Sequence, residues 1–97
     1  MVEIQAVGVA FFSHGDERAF LGWLDAMPFV RRLDRSGRTL YLFIDELAVD
    51  EDGLRDLLAL FRRYEIQGLR QLVAFDRFEF ADWFRDSEKY WYDEVFG

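Results

Sequence analysis

Cysteine is missing from this chain of 97 residues, which excludes disulfides, thiolate metal ligands and a cysteine nucleophile. The same absence fits a reducing compartment, and the cytoplasm is the expected location. Proline occurs once, at Pro28, and no serine-rich or glycine-rich run is present, so an ordered chain without flexible linkers is expected. No apolar run approaches the roughly 20 residues needed to cross a bilayer, and Met1-Val2-Glu3 lacks the basic stretch of a secretory signal. Neither export nor a membrane partner is expected. Lysine also occurs once, at Lys89, and the arginines are interleaved with acids, leaving little to neutralise a phosphate backbone. Nucleic acid is therefore not an expected partner. A single histidine, His14, cannot build a histidine-rich metal site.

What the chain does contain is apolar and acidic. Just over half of its residues are hydrophobic and 19% are aromatic. At this length a single α+β domain over residues 1–97 should remove roughly 60–65% of the surface the unfolded chain exposes. The formal net charge is −7. Up to Ala48 there are five basic against seven acidic residues, and from Val49 onward seven against twelve, so the acidity gathers towards the C-terminus. Such a field favours basic proteins by raising encounter rates and rejecting acidic competitors. Its densest part is Asp76 to Gly97, with eight aromatics and seven carboxylates against three basic residues.

Val2 to Ser13 is almost continuously apolar and reads as a central strand covered on both faces. His14-Gly15 breaks it, Asp16 is a candidate cap, and Phe20, Leu21, Trp23, Leu24 and Met27 recur at helical spacing up to Pro28. Phe29–Asp34 and Thr39–Asp45 read as strands joined by a hairpin in which the Ser36-Gly37 step supplies a positive φ. The second of these also looks buried on both faces. Asp50 caps a second helix with the apolar stripe Leu54, Leu57, Leu58, Leu60, Phe61 and Tyr64, ending before Gly68. Leu69–Phe75 reads as a fourth strand, with a short helix as the alternative, and a helical tail interrupted near Ser87-Glu88-Lys89 follows. The expected fold is a ferredoxin-like β-α-β-β-α-β sheet with a C-terminal aromatic helical extension that covers part of the second sheet face.

Few residues suggest chemistry. His14 sits where a catalytic residue is often displayed, but no nucleophile motif surrounds it, and an exposed loop histidine is the reading adopted. Asp50-Glu51-Asp52-Gly53 resembles the middle of a calcium loop, yet that alignment puts Ala48 and Ala59 at required carboxylate positions, so helix capping is preferred. Asp45 and Glu46 are adjacent carboxylates whose side chains should diverge at a strand end. Gly8 lies in no phosphate-binding loop. Arg31, Arg32, Arg35 and Arg38 cluster around the hairpin, where pairing with Asp34 and neighbouring acids is expected. No catalytic residue, metal or cofactor is assigned.

The tail is the candidate binding region. Most of Phe78, Phe80, Trp83, Phe84, Trp91 and Phe96 should be core, because the sheet needs a lid. Eight rings in twenty-two residues do not all turn inward easily, however, and Tyr90-Trp91-Tyr92 directs at least one ring elsewhere on a helix. Tyr90 and Tyr92 beside Asp82, Asp86, Glu88 and Asp93 have the composition of a binding hot spot, aromatic anchors ringed by charge.

Leu57-Leu58-Ala59-Leu60-Phe61-Arg62-Arg63-Tyr64, Gln71-Leu72, Trp83-Phe84 and Tyr90-Trp91-Tyr92 to Val95-Phe96-Gly97 together resemble small bacterial immunity proteins of contact-dependent inhibition and related toxin systems, over about half the chain. The resemblance implies a cytoplasmic, non-enzymatic inhibitor that binds one cognate toxin, often a basic nuclease, and masks its active site or substrate surface. A different class of function is a homodimeric ferredoxin-like domain that binds a small ligand. A third is an enzyme using scattered carboxylates, which requires a convergent cluster with strongly shifted pKa values.

Overall fold

A computed structural model describes all 97 residues. Its elements run β1 (Val2–Val7), α1 (His14–Asp25), β2 (Val30–Ser36), β3 (Thr39–Ile44) and α2 (Glu51–Arg63), followed by two short helices, α3 (Ala81–Phe84) and α4 (Tyr92–Phe96). Three 3₁₀ helices, Glu46–Ala48, Leu69–Phe75 and Phe78–Phe80, link them. The fold is α+β with one three-stranded antiparallel sheet in the order β1-β3-β2. No helix is long and apolar enough to cross a membrane.

Local chemistry accounts for most of these boundaries. Gly8, at φ +70°, ends β1 well short of Ser13, the limit expected from its hydrophobicity. Val9 and Phe11 still turn inward, but from an irregular segment. The cap of α1 is Ser13, whose Oγ accepts from the Asp16 N–H at 3.1 Å, while Asp16 Oδ2 accepts from the Phe12 N–H at 3.1 Å. Asp16 therefore supports the helix start by holding the residue that precedes the cap. Asp50 caps α2 as expected, accepting from the Gly53 N–H at 2.7 Å. Gly37, at φ +60°, supplies the hairpin turn between Ser36 and Thr39.

The fourth strand is the main correction. Leu69–Phe75 is 3₁₀ helix, and the buried residues Leu69, Leu72 and Phe75 fall at intervals of three, which stacks them along one side of such a helix. The outer edge of β1 is closed by other means. Gln71 donates through Nε2 to the Gln5 carbonyl and accepts at Oε1 from the Gln5 N–H, both at 2.8 Å, so one side-chain amide does the work of a neighbouring strand. Val7 and Gln67 add an isolated antiparallel bridge.

The core lies on one face of the sheet. Ile4, Ala6, Leu40, Leu42 and Ile44 point into it together with the broad apolar side of α2. Buried α2 residues spread over about 160° of its circumference, wider than the stripe of a helix that packs on one surface only. The excess faces the C-terminal tail, where α4 packs on the Leu69–Phe75 helix and Trp83 lies under Arg55 of α2. Gly53 allows Phe29 to approach α2, since a Cβ there would stand 2.6 Å from Phe29 Cε2. The tail therefore covers α2 rather than the second sheet face. That face stays open, and β1 and β3 alternate between buried and half-buried or exposed residues where double-sided cover was expected. Gln5, Thr39 and Tyr41 bring polar atoms to it, and Arg32 lies 4.9 Å from the Phe43 ring centroid, which lets a partly apolar face meet water.

Candidate functional site

Most tail rings are core. Phe80, Phe84, Trp91 and Val95 are buried, and Trp91 donates its indole N–H to the Phe84 carbonyl at 2.8 Å. Trp83 stands edge-on to Trp91 at 5.9 Å and Phe96 edge-on to Phe84 at 5.0 Å. The break expected around Ser87-Glu88-Lys89 separates α3 from α4, and Asp86 Oδ1 accepts from the Glu88 N–H there at 3.0 Å. Arg70 reaches the Gly97 carbonyl and ties the end of the tail to the preceding 3₁₀ helix.

The residues expected to bind a partner are placed as follows. Asp82, Glu88 and Asp93 are exposed and Asp86 is half-buried. Tyr92 is half-buried against Phe96. Tyr90 is 48% exposed, with the Arg62 guanidinium 5.6 Å from its ring centroid. Burial raises the Tyr90 phenol pKa above the ordinary tyrosine value, and the nearby Arg62 charge opposes that rise.

The seven tail carboxylates divide into two groups. Asp76 is paired with Arg85 at 2.6 Å and Glu79 with Arg77 at 2.9 Å. Asp82, Asp86, Glu88, Asp93 and Glu94 take part in no ion pair.

A second apolar feature appears where the sequence offered little signal. Phe78 is 97% exposed and Leu47 is 84% exposed, although they are far apart in the chain. Arg77 brings their segments together by donating to the Glu46 carbonyl at 3.2 Å and to the Val49 carbonyl. The hollow between the segments is lined by Leu47, Ala48, Val49, Asp50, Glu51, Arg77, Glu79 and Phe80. Met1, also largely exposed, sits nearby with its amine 3.4 Å from Glu46 Oε2. Large apolar side chains are thus displayed among Glu46, Asp50, Glu51 and Glu79. Only the run Arg77-Phe78-Glu79-Phe80, with too many rings for a short helix to bury, hints at this in the sequence.

The other candidates have structural employment. Asp45 caps the Glu46–Ala48 turn by accepting from the Leu47 N–H at 3.2 Å and pairs with Arg31 at 3.3 Å, while Glu46 faces the N-terminal amine. Arg32 pairs with Asp34 at 2.5 Å and Arg35 with Glu17 at 3.3 Å. The Arg32 hydrogen bond holds the Asp34 carboxyl below its ordinary range. His14 is exposed in the first turn of α1. No three histidine or carboxylate side chains converge in a way that would hold a metal ion. No protein-family model, curated protein or solved structure matches the chain.

Proposed function

We propose that this chain is a non-enzymatic immunity protein that binds a basic toxin domain through the acidic, aromatic surface of its C-terminal segment and neutralises it. The observation that carries this reading is the set of five tail carboxylates without a counter-ion, in the same segment as the exposed ring of Phe78. In solution these charges steer the protein towards a basic cleft, and salt weakens the effect. Apolar anchors then slow dissociation. Burying a fully exposed Phe contributes about 1.5–3 kcal/mol, roughly a 10- to 150-fold change in dissociation constant.

The binding surface combines the residues expected from the sequence, Asp82, Asp86, Glu88, Tyr90, Tyr92 and Asp93, with Leu47 and Phe78. Against a nuclease, the carboxylates would occupy sites built for phosphate oxygens. The β1-β3-β2 order is compatible with the first three strands of a ferredoxin-like domain, with the Gln67–Gln71 segment standing beside β1. The small-ligand reading has less behind it, because the largest hollow is an open groove between α1 and β2.

The test is co-purification with the product of the reading frame directly upstream, together with rescue of growth when that product is expressed. Binding and rescue are expected. An upstream toxin that is neither bound nor neutralised would defeat the proposal.

A further inference from the structure

The two edges of the sheet differ. The outer edge of β1 is occupied by Gln71 and Gln67, whereas β2 has a neighbour on one side only. The two-residue turn makes Ser36 and Thr39 a bonded pair, so alternation along the ladder aims the peptide groups of Asp34 at β3 and those of Leu33 and Arg35 away from it. No backbone hydrogen bond outside the sheet takes up the peptide groups of Arg31 to Arg35. Along this edge runs a groove of about 500 Å³ between α1 and β2, with Leu21, Leu24, Val30 and Leu33 in its walls. An unpaired edge beside an apolar groove is a template for another strand.

We propose that the occupant is a second copy of this chain, its β2 antiparallel to the first across a two-fold axis through Leu33. The charges select this register. With the axis at Leu33, outward peptide groups meet outward peptide groups, and Arg32, paired with Asp34 of its own strand at 2.5 Å, also stands opposite Asp34 of the copy, so that the two strands bring their pairs together as four charges of alternating sign in close, non-hydrogen-bonded positions. Moving the axis by one residue sets Arg32 against Arg32 or Asp34 against Asp34. Like charges directly opposite one another disfavour both alternatives.

On the groove side Leu33 meets its own counterpart. Arg31 and Arg35, which come together there, are already held by Asp45 and Glu17 of their own chain. The bulge between Val30 and Arg32 keeps the paired stretch short. Because β1 offers no second free edge, pairing closes at two copies instead of growing into a fibre. This inference uses none of the residues assigned to toxin binding, so either can fail without the other.

Sedimentation equilibrium from about 1 μM to about 1 mM is the test. The wild-type chain should pass from single to double mass across that range. Arg32→Asp and Asp34→Arg should each weaken the dimer by about tenfold or more, since each replaces two opposite-charge pairs with two like-charge pairs. Mixed in equal amounts, the two variants should form a heterodimer, because every cross-strand pair is again of opposite sign. That recovery also separates loss of pairing from loss of fold. A wild-type chain of single mass throughout, single variants that dimerise like wild type, or a mixture that stays at single mass would each overturn the proposal.

Discussion

The two ends of the C-terminal segment have nearly the same composition and opposite fates. Phe80, Phe84 and Trp91 close over α2, with Phe84 and Trp91 joined by a buried hydrogen bond. Two residues before Phe80, Phe78 lies almost wholly in water among charged side chains. Composition does not divide the segment. Arg77 does, because anchoring its guanidinium on the Glu46 and Val49 carbonyls fixes which way the following turn faces. The buried rings therefore hold the fold together, while Phe78 stays outside the core.

The largest effect expected from this contrast is at Trp91. Trp91→Ala removes a buried ring and leaves the Phe84 carbonyl without its donor, so stability should fall by about 3–5 kcal/mol in denaturant unfolding. A loss below about 1 kcal/mol would mean that the tail is not core. Gln71→Leu comes next. It orphans both the N–H and the carbonyl of Gln5 at a partly buried edge, for a cost of about 1–3 kcal/mol, with faster amide exchange at Gln5 as the local readout.

Phe78→Ser should change stability by no more than about 0.5 kcal/mol, since the ring touches little that folding buries. A large loss would erase the distinction between the two ends. The smallest effect concerns Tyr90. Its raised phenol pKa means that folding favours the neutral form, so this stabilisation is complete below the ordinary tyrosine pKa and is lost as pH rises through the raised value. Spectrophotometric titration should show a late ionisation that is lost in Tyr90→Phe. Removing the opposing charge with Arg62→Gln should push that ionisation later still.

Much of the fold can be read in the chain because local chemistry dictates it. Asp50 and the leucine stripe specify α2, and Gly37 specifies the hairpin turn. The helix–break–helix rhythm of the tail follows from Ser87-Glu88-Lys89. Leu69–Phe75 misleads because a period of three over seven residues lies between the strand period of two and the helical 3.6, and either can be fitted to it. The open sheet face is hidden for a related reason. Tyr41 and Phe43 count as apolar in a sequence pattern, although a phenol oxygen and a stacked Arg32 make their face tolerable to water. The display of Phe78 depends on hydrogen bonds from Arg77 to carbonyls 28 and 31 positions earlier in the chain, and no local pattern encodes that.

The central claim is that the exposed carboxylates and rings of the C-terminal segment bind a basic partner while its buried rings only close the core. Its most direct test is the dissociation constant of the product of the reading frame directly upstream, the partner proposed above, for wild-type protein and for Phe78→Ser, measured at low and at physiological salt. The account predicts that Phe78→Ser binds about tenfold or more weakly with its folding stability intact, and that added salt weakens wild-type binding. Equal affinity for the two proteins, with no dependence on salt, would contradict it.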